Sequence, residues 1–214
     1  MSRSVLVADG DLGVGRTVAD AFAAQGDWVA VTYPDVEPAP SPLLSVRCPD
    51  LSDPGHVETA FRTVEDAHGP VEVLVAPAEI GLQGRAGTPT CPRHLASVPL
   101  LQRAVDEMLW GSSGRIILIM AAHCRRDDAR DGPCRIATRL VRTLARELDR
   151  RISTVNVITP AGIDPPMAGY PDRPHRRENA WDAPIAAAAV FLAMPESGRI
   201  NGATLPVDCI QAVA

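Results

Sequence analysis

Short apolar, β-branched runs alternate with helix-period patterns from one end of this chain to the other, and that alternation leaves few folds open. Strands are expected over 5–8, 28–32, 43–47, 71–75, 115–120, 153–158 and 203–207. Most of these runs are continuously apolar rather than alternating, the pattern of parallel strands covered on both faces. Between the first two, Val14, Val18, Ala21 and Phe22 recur at helical spacing and Gly26 supplies a stop. Asp53-Pro54 forms an N-cap and first-turn pair ahead of Val57, Ala60, Phe61 and Val64. Further helices are expected over 94–109, 134–150 and 183–194. Strand, helix, strand in this order specifies one doubly wound α/β domain over 1–214, a parallel sheet of about seven strands flanked by helices. Two stretches are irregular, 34–42 and 160–178. The second follows the sixth strand at its C-terminal end, where ligands bind in this architecture.

Composition narrows the function. With 214 residues, 46% of them apolar and 22% charged, the chain can bury a sizeable core. No apolar run approaches a membrane span, so no membrane association is expected. Cys48, Cys91, Cys124, Cys134 and Cys209 are scattered and include no CxxC pair. That argues against a disulfide framework or a metal site and makes a reducing cytoplasm the expected location. A formal charge of −5 argues against nucleic acid as a partner. All 21 basic residues are arginine. Without a lysine, side-chain Schiff-base catalysis, P-loop phosphate binding and a Tyr/Lys proton relay are excluded. Tyr33 and Tyr170 are the only tyrosines.

The order of segments resembles the short-chain dehydrogenase/reductase superfamily, closest to its bacterial 3-oxoacyl-carrier-protein reductase branch. Val5-Leu6-Val7-Ala8-Asp9-Gly10-Asp11-Leu12-Gly13-Val14-Gly15-Arg16 stands where that family has its first strand and TGxxxGxG turn. Asp50-Leu51-Ser52-Asp53 looks like its adenine-pocket segment, and Gly69-Pro70-Val71-Glu72-Val73-Leu74-Val75 like the lead into its fourth strand. Gly114-Arg115-Ile116-Ile117, Leu144-Ala145-Arg146-Glu147, Thr154-Val155-Asn156-Val157 and Phe191-Leu192-Ala193 match as well. The resemblance covers nearly the whole chain and implies a single Rossmann-type domain.

At the family's functional positions the sequence departs from the pattern. The NNAG segment falls on Ala76-Pro77-Ala78-Glu79, the catalytic serine on Ala121, and the Tyr-x-x-x-Lys pair on Arg130 and Cys134. No asparagine lies between Ala76 and Arg115 to serve as the family's helix-four asparagine. The motif's first glycine is replaced by Asp9, with Asp11 in the same turn and Glu79 on the facing loop. One carboxylate about 5 Å from a phosphate costs on the order of 3 kcal/mol at an effective dielectric near 20. The expectation is therefore that no nicotinamide cofactor is held, with weak NAD(P) binding as the alternative. If a dinucleotide is held, the resemblance assigns it to Gly10, Gly13, Gly15, Asp50 and Leu51. After the second strand comes Thr32-Tyr33-Pro34-Asp35, without an arginine for a 2′-phosphate. Asp35 is either a ribose contact or a surface turn residue.

Substitute chemistry has three leading candidates and two weaker ones. His123 lies two residues past Ala121, so strand alternation would aim both at one cleft wall, and a histidine near its ordinary pKa can act as a general base. Arg130 could stabilise an enolate or carboxylate. Tyr170 lies in the loop that the family folds over its substrate. Cys124 and Cys134 are weaker nucleophile candidates.

Three readings stay open. One is a repurposed enzyme doing non-redox acid–base chemistry on a small oxygenated molecule. Another is a non-catalytic protein that binds a ligand or an active homologue. The last is a reductase protonating its product through water or a substitute residue. Exclusive arginine usage suggests GC-rich coding, and by association a polyketide-type specialised metabolism. Arg135, Arg139, Arg142 and Arg146 share one helical arc, opposite Ile136, Leu140, Leu144 and Leu148. The family pairs this helix with its copy, so a homo-oligomer through the fourth and fifth helices is expected, with Asp106 and Glu107 meeting the arginines. A hetero-oligomer with a homologue, or an acidic carrier protein, is the alternative.

Overall fold

In the computed structural model, residues 2–78, 97–110, 114–120, 132–148, 153–161 and 182–208 are described. Seven strands, β1 (Ser4–Val7), β2 (Trp28–Tyr33), β3 (Leu44–Arg47), β4 (Val73–Pro77), β5 (Arg115–Ile119), β6 (Thr154–Ala161) and β7 (Thr204–Asp208), form one sheet. Its order is β3-β2-β1-β4-β5-β6-β7 and every pairing is parallel. The order reverses between β1 and β4, the switch point at which a crevice opens beyond the C-terminal strand ends. The expected doubly wound sheet is thus what the chain forms.

Among the described residues, five α-helices cover the sheet: α1 (Gly13–Ala24), α2 (Pro54–His68), α3 (Ser97–Trp110), α4 (Gly132–Leu148) and α5 (Asp182–Ala193). Strand alternation sorts the core into two layers. Leu6, Ala30, Leu74, Ile116, Leu118 and Val155 face Val57, Phe61, Leu100, Met108, Val141 and Leu148 of α2, α3 and α4. Their strand neighbours Val5, Val7, Val31, Val75 and Ile117 face Phe22 of α1 and Ile185, Ala189 and Leu192 of α5. Continuously apolar strands are the sequence consequence of these two covered faces.

Helix ends follow local chemistry. Asp53 caps α2, its Oδ1 accepting the N–H groups of Gly55 (2.7 Å) and His56 (3.1 Å). Beyond Ala24, Gly26 takes a φ of 84°, which ends α1 as its glycine suggests. Arg103 of α3 ties its helix to α2. It donates to Glu58 (2.7 Å), to Glu107 one turn on (2.8 Å) and to Glu65, with its guanidinium 4.9 Å from the Phe61 ring centroid. Glu107 therefore turns inward, accepting also the Val71 N–H at 2.6 Å. That corrects the expectation that it faces the α4 arginines; Asp106 is the exposed one of the two.

Candidate functional site

β1 ends at the switch point, and the next turn is where the sequence departs most from its resemblance. Asp9 adopts a φ of 53°, the only non-glycine positive φ among the described residues, and its N–H donates to Thr32 Oγ1 at 2.9 Å. A left-handed backbone is a position that glycine fills without cost. Gly10 and Gly15 hold the turn tight. A Cβ at Gly10 would come within 2.8 Å of Val31 Cγ1 and 2.9 Å of the Val7 carbonyl oxygen, and one at Gly15 would overlap the Asp9 carbonyl oxygen. Gly13 differs: its φ is 55° and a Cβ there would meet nothing. Two glycines let the backbone fold onto α1, and the third leaves the helix start open.

That helix start is uncapped. Leu12, at the N-cap, is 76% exposed and makes no side-chain cap hydrogen bond, in contrast to Asp53 on α2. The unmatched N–H groups of a helix's first turn, at the positive end of its dipole, attract phosphate. They open on a cleft of about 470 Å³ lined by Asp11, Leu12, Gly13, Arg16 and Thr17, and by Asp182 and Ala183 from the first turn of α5. Arg16 pairs with Asp20 at 3.0 Å on the same helix.

The edge continues toward β3. The Cys48 N–H donates to the Tyr33 carbonyl at 2.9 Å, lacing the ends of β2 and β3 together. Asp50, exposed, accepts the Ser52 Oγ (2.6 Å) and N–H (2.8 Å), which hold its carboxyl below the usual range. Leu51 is buried in the layer beneath α2 and α3. Burial, then the charges of Asp9, Asp50 and Asp53, push the Cys48 thiol up to about 11, so it stays protonated. The glycine turn, the end of β2 and the β3–α2 link therefore lie along one sheet edge. Gly10, Gly13 and Gly15 stand on or just after the first of these segments, and Asp50 and Leu51 on the last.

His123, Arg130 and Tyr170 lie outside the described residues, as do Ala121, Cys124 and Glu79, and the side chain of Cys134 is not described. Among the described residues, no group of three or more His, Cys, Asp and Glu could hold a metal, and no helix is long and apolar enough to cross a membrane. Sequence reasoning missed Arg16, Thr17 and the α5 pair Asp182 and Ala183 as cleft walls. An apolar Leu12 directly ahead of a helix was the available signal, since an N-cap ordinarily carries Ser, Thr, Asp or Asn. A second depression, about 530 Å³, lies between α3 and α4, lined by Val98, Leu101, Gln102, Val105, Asp106, Leu140 and Leu144. Arg139, Arg142 and Arg146 stand exposed on α4.

Comparison with known proteins agrees with this architecture. The family described as Enoyl-(Acyl carrier protein) reductase matches residues 8–209. The 3-oxoacyl-[acyl-carrier-protein] reductase MabA of Mycobacterium bovis is 32% identical over 97% of this chain and 92% of its own. A short-chain dehydrogenase/reductase from Serratia marcescens superposes with a TM-score of 0.68 at 26% identity, covering 97% of this chain and 96% of that one. A blue fluorescent protein from a metagenomic library, solved in complex with NADPH, gives a TM-score of 0.69 at 25% identity and covers 99% and 98%.

These findings overturn the expectation that no nicotinamide cofactor is held. The chain matches a reductase family over nearly its whole length, and a structural neighbour at 25% identity carries NADPH. The electrostatic expectation counted carboxylates alone: Asp11 does line the cleft, but together with Arg16 and the start of α1, whose first N–H groups offset its charge toward a phosphate. The glycine cradle and the uncapped α1 fit a dinucleotide's diphosphate. Across its fold, its switch-point turn and its sequence, the chain belongs to the short-chain dehydrogenase/reductase superfamily, in the family described as Enoyl-(Acyl carrier protein) reductase.

Proposed function

We propose that this chain binds a nicotinamide dinucleotide along the C-terminal edge of its sheet and acts as an oxidoreductase on a small oxygenated metabolite of 3-oxoacyl or polyketide type. One observation carries the reading: an uncapped α1 behind a glycine-tight turn, opening on the cleft shared with α5. Gly10 and Gly15 keep the turn low, Gly13 leaves room for an anion, and the first N–H groups of α1 receive its charge. Arg16 and Thr17 form the wall that a diphosphate would meet. Asp50 and Leu51 border the adenine side, Leu51 by shaping the floor from within the core. When bound, the cofactor supplies hydride exchange with a carbonyl carbon. The substrate class is supported by the relatives' names, 3-oxoacyl-[acyl-carrier-protein] reductases.

The proton cannot come from a Tyr/Lys pair, because the sequence holds no lysine. His123, with Arg130 polarising the oxygen, or Tyr170 takes that role. A second reading, favoured by the same absence, keeps the dinucleotide bound and lets these residues perform acid–base chemistry without net hydride transfer. We also propose self-association through α3 and α4, where an apolar depression lined by Leu101, Val105, Leu140 and Leu144 carries exposed Asp106.

Calorimetric titration with NADH and NADPH, followed by nicotinamide absorbance in the presence of a 3-oxoacyl thioester, tests the main reading. Binding of at least one dinucleotide with consumption of the reduced form is expected. Gly13→Asp, adding a carboxylate beside the open helix start, should weaken binding at least about tenfold. Binding without absorbance change selects the second reading; absence of binding by either dinucleotide removes both.

A further inference from the structure

Three carboxylates and two guanidiniums meet where α2 packs against α3. Arg103 spreads its nitrogens over all three acids: Nε donates to Glu58 Oε2 at 2.7 Å, Nη1 to Glu107 Oε2 at 2.8 Å and Nη2 to Glu65 Oε1. Arg62, exposed, donates to the other oxygen of Glu58 at 2.7 Å. Arg103 and Arg62 together hold the Glu58 carboxyl below its usual range, so it stays ionised. Charge then fails to balance on the inner side. Arg62 answers Glu58, and the one guanidinium left faces both Glu65 and Glu107, the more buried acids. The other groups around them do not correct this. From the lead into β4, Glu107 meets the Val71 N–H at 2.6 Å, a dipole rather than a charge, while Glu72 accepts the Ser4 N–H at 3.1 Å. His68, in the last turn of α2, turns to Trp28, their ring centroids 5.5 Å apart. Asp66 of α2 and Asp106 of α3 are exposed.

We propose that the α2–α3 seam is a proton-operated latch: one proton held between the Glu65 and Glu107 carboxyls closes it, and its loss leaves two carboxylates on a single guanidinium and loosens α3 from α2. The two carboxyls lie within hydrogen-bonding reach of each other. Ionised carboxylates accept and cannot donate, so such a pair needs a proton between its oxygens. Burial first, and then the Glu65 carboxyl, push Glu107 up to about 7, against the Val71 N–H and Arg103. Because folding raises that pKa, closure is favoured in acid and relaxes as pH rises through about 7. α3 also lines the depression beside α4 through Val98, Leu101 and Val105, so the latch sets how firmly that face is held.

Hydrogen–deuterium exchange of the full chain, corrected for the chemical exchange rate at each pH, reads the latch without requiring turnover. Opening of the α2 and α3 amides at the seam should increase about tenfold from about pH 6 to pH 8. That is the ratio for a carboxyl titrating near 7 when closed and near 4.5 when open. Amides of α1, on the opposite face of the sheet, should hold constant. Glu107→Gln, which keeps the shape without the titration, should abolish the pH response and leave the seam closed. Glu65→Gln should bring the Glu107 carboxyl below 7, read by carbon-13 NMR of the carboxyl carbons. Seam amides that ignore pH, a response that survives Glu107→Gln, or one shared equally by α1 overturns the latch. So does a Glu107 carboxyl that titrates below about 5 in the unaltered chain, or one that Glu65→Gln leaves in place.

Discussion

Glu107 shows what a single side chain adds to the sequence pattern. It lies beside Asp106 on α3, and from the chain alone the two looked equivalent. In the fold one faces solvent, while the other is half-buried against Val71, Arg103 and Glu65. Burial, with the neighbouring Glu65 carboxylate, pushes its carboxyl up to about 7 despite the Val71 N–H and Arg103. A carboxyl whose pKa is raised by folding favours the folded state when protonated, so that contribution is full below about pH 4.5 and lost as pH rises through 7. His68 acts oppositely, because burial lowers its pKa and acidification through about pH 6.5 works against folding. Urea denaturation of the unaltered chain and of Glu107→Gln, between about pH 5 and pH 8, should separate the two. The stability difference between the proteins should change by on the order of 2 kcal/mol across that window, the unaltered chain losing ground as pH rises. Parallel pH profiles would show that Glu107 does not titrate there. Asp9 teaches the same lesson in the backbone: its identity was plain in the sequence, but its left-handed φ of 53° and the bond from its N–H to Thr32 were not.

Elements were the most legible level. Every expected strand and helix with described residues is present, because apolar period and caps are local properties. The Asp53-Pro54 cap stands as its two residues indicate, and Asp53→Ala should cost about 1 kcal/mol in chemical denaturation, with Asp53→Asn close to unaltered. No difference on Asp53→Ala would mean that packing alone starts α2. Boundaries shift by up to three residues: β6 runs on to Ala161 rather than 158, and β4, expected over 71–75, is found at Val73–Pro77. Val71 is apolar and buried like a strand residue, yet its N–H is committed to Glu107, a tertiary contact that hydrophobic pattern cannot reveal. The candidate site was half legible. Its glycines and the β3–α2 link carry local signatures, whereas its α5 wall is contributed by residues far away in sequence.

At the scale of the whole molecule the strand order places β1 and β4 at the centre and β3 and β7 at the two edges. The proposed pairing through α3 and α4 belongs to this scale. Sedimentation velocity should show a dimer or larger species, and Val98→Glu, at the lip of the apolar depression, should shift it toward monomer. A monomer at every concentration would remove the pairing while leaving the dinucleotide reading untouched. The cleft at α1 has a further consequence. One wall comes from α1 and the other from α5, so neither half of the polypeptide forms this cleft by itself. During synthesis the pocket comes into being only when α5 has emerged and docked, and whatever occupies it then acts as a clasp between early and late parts of the chain.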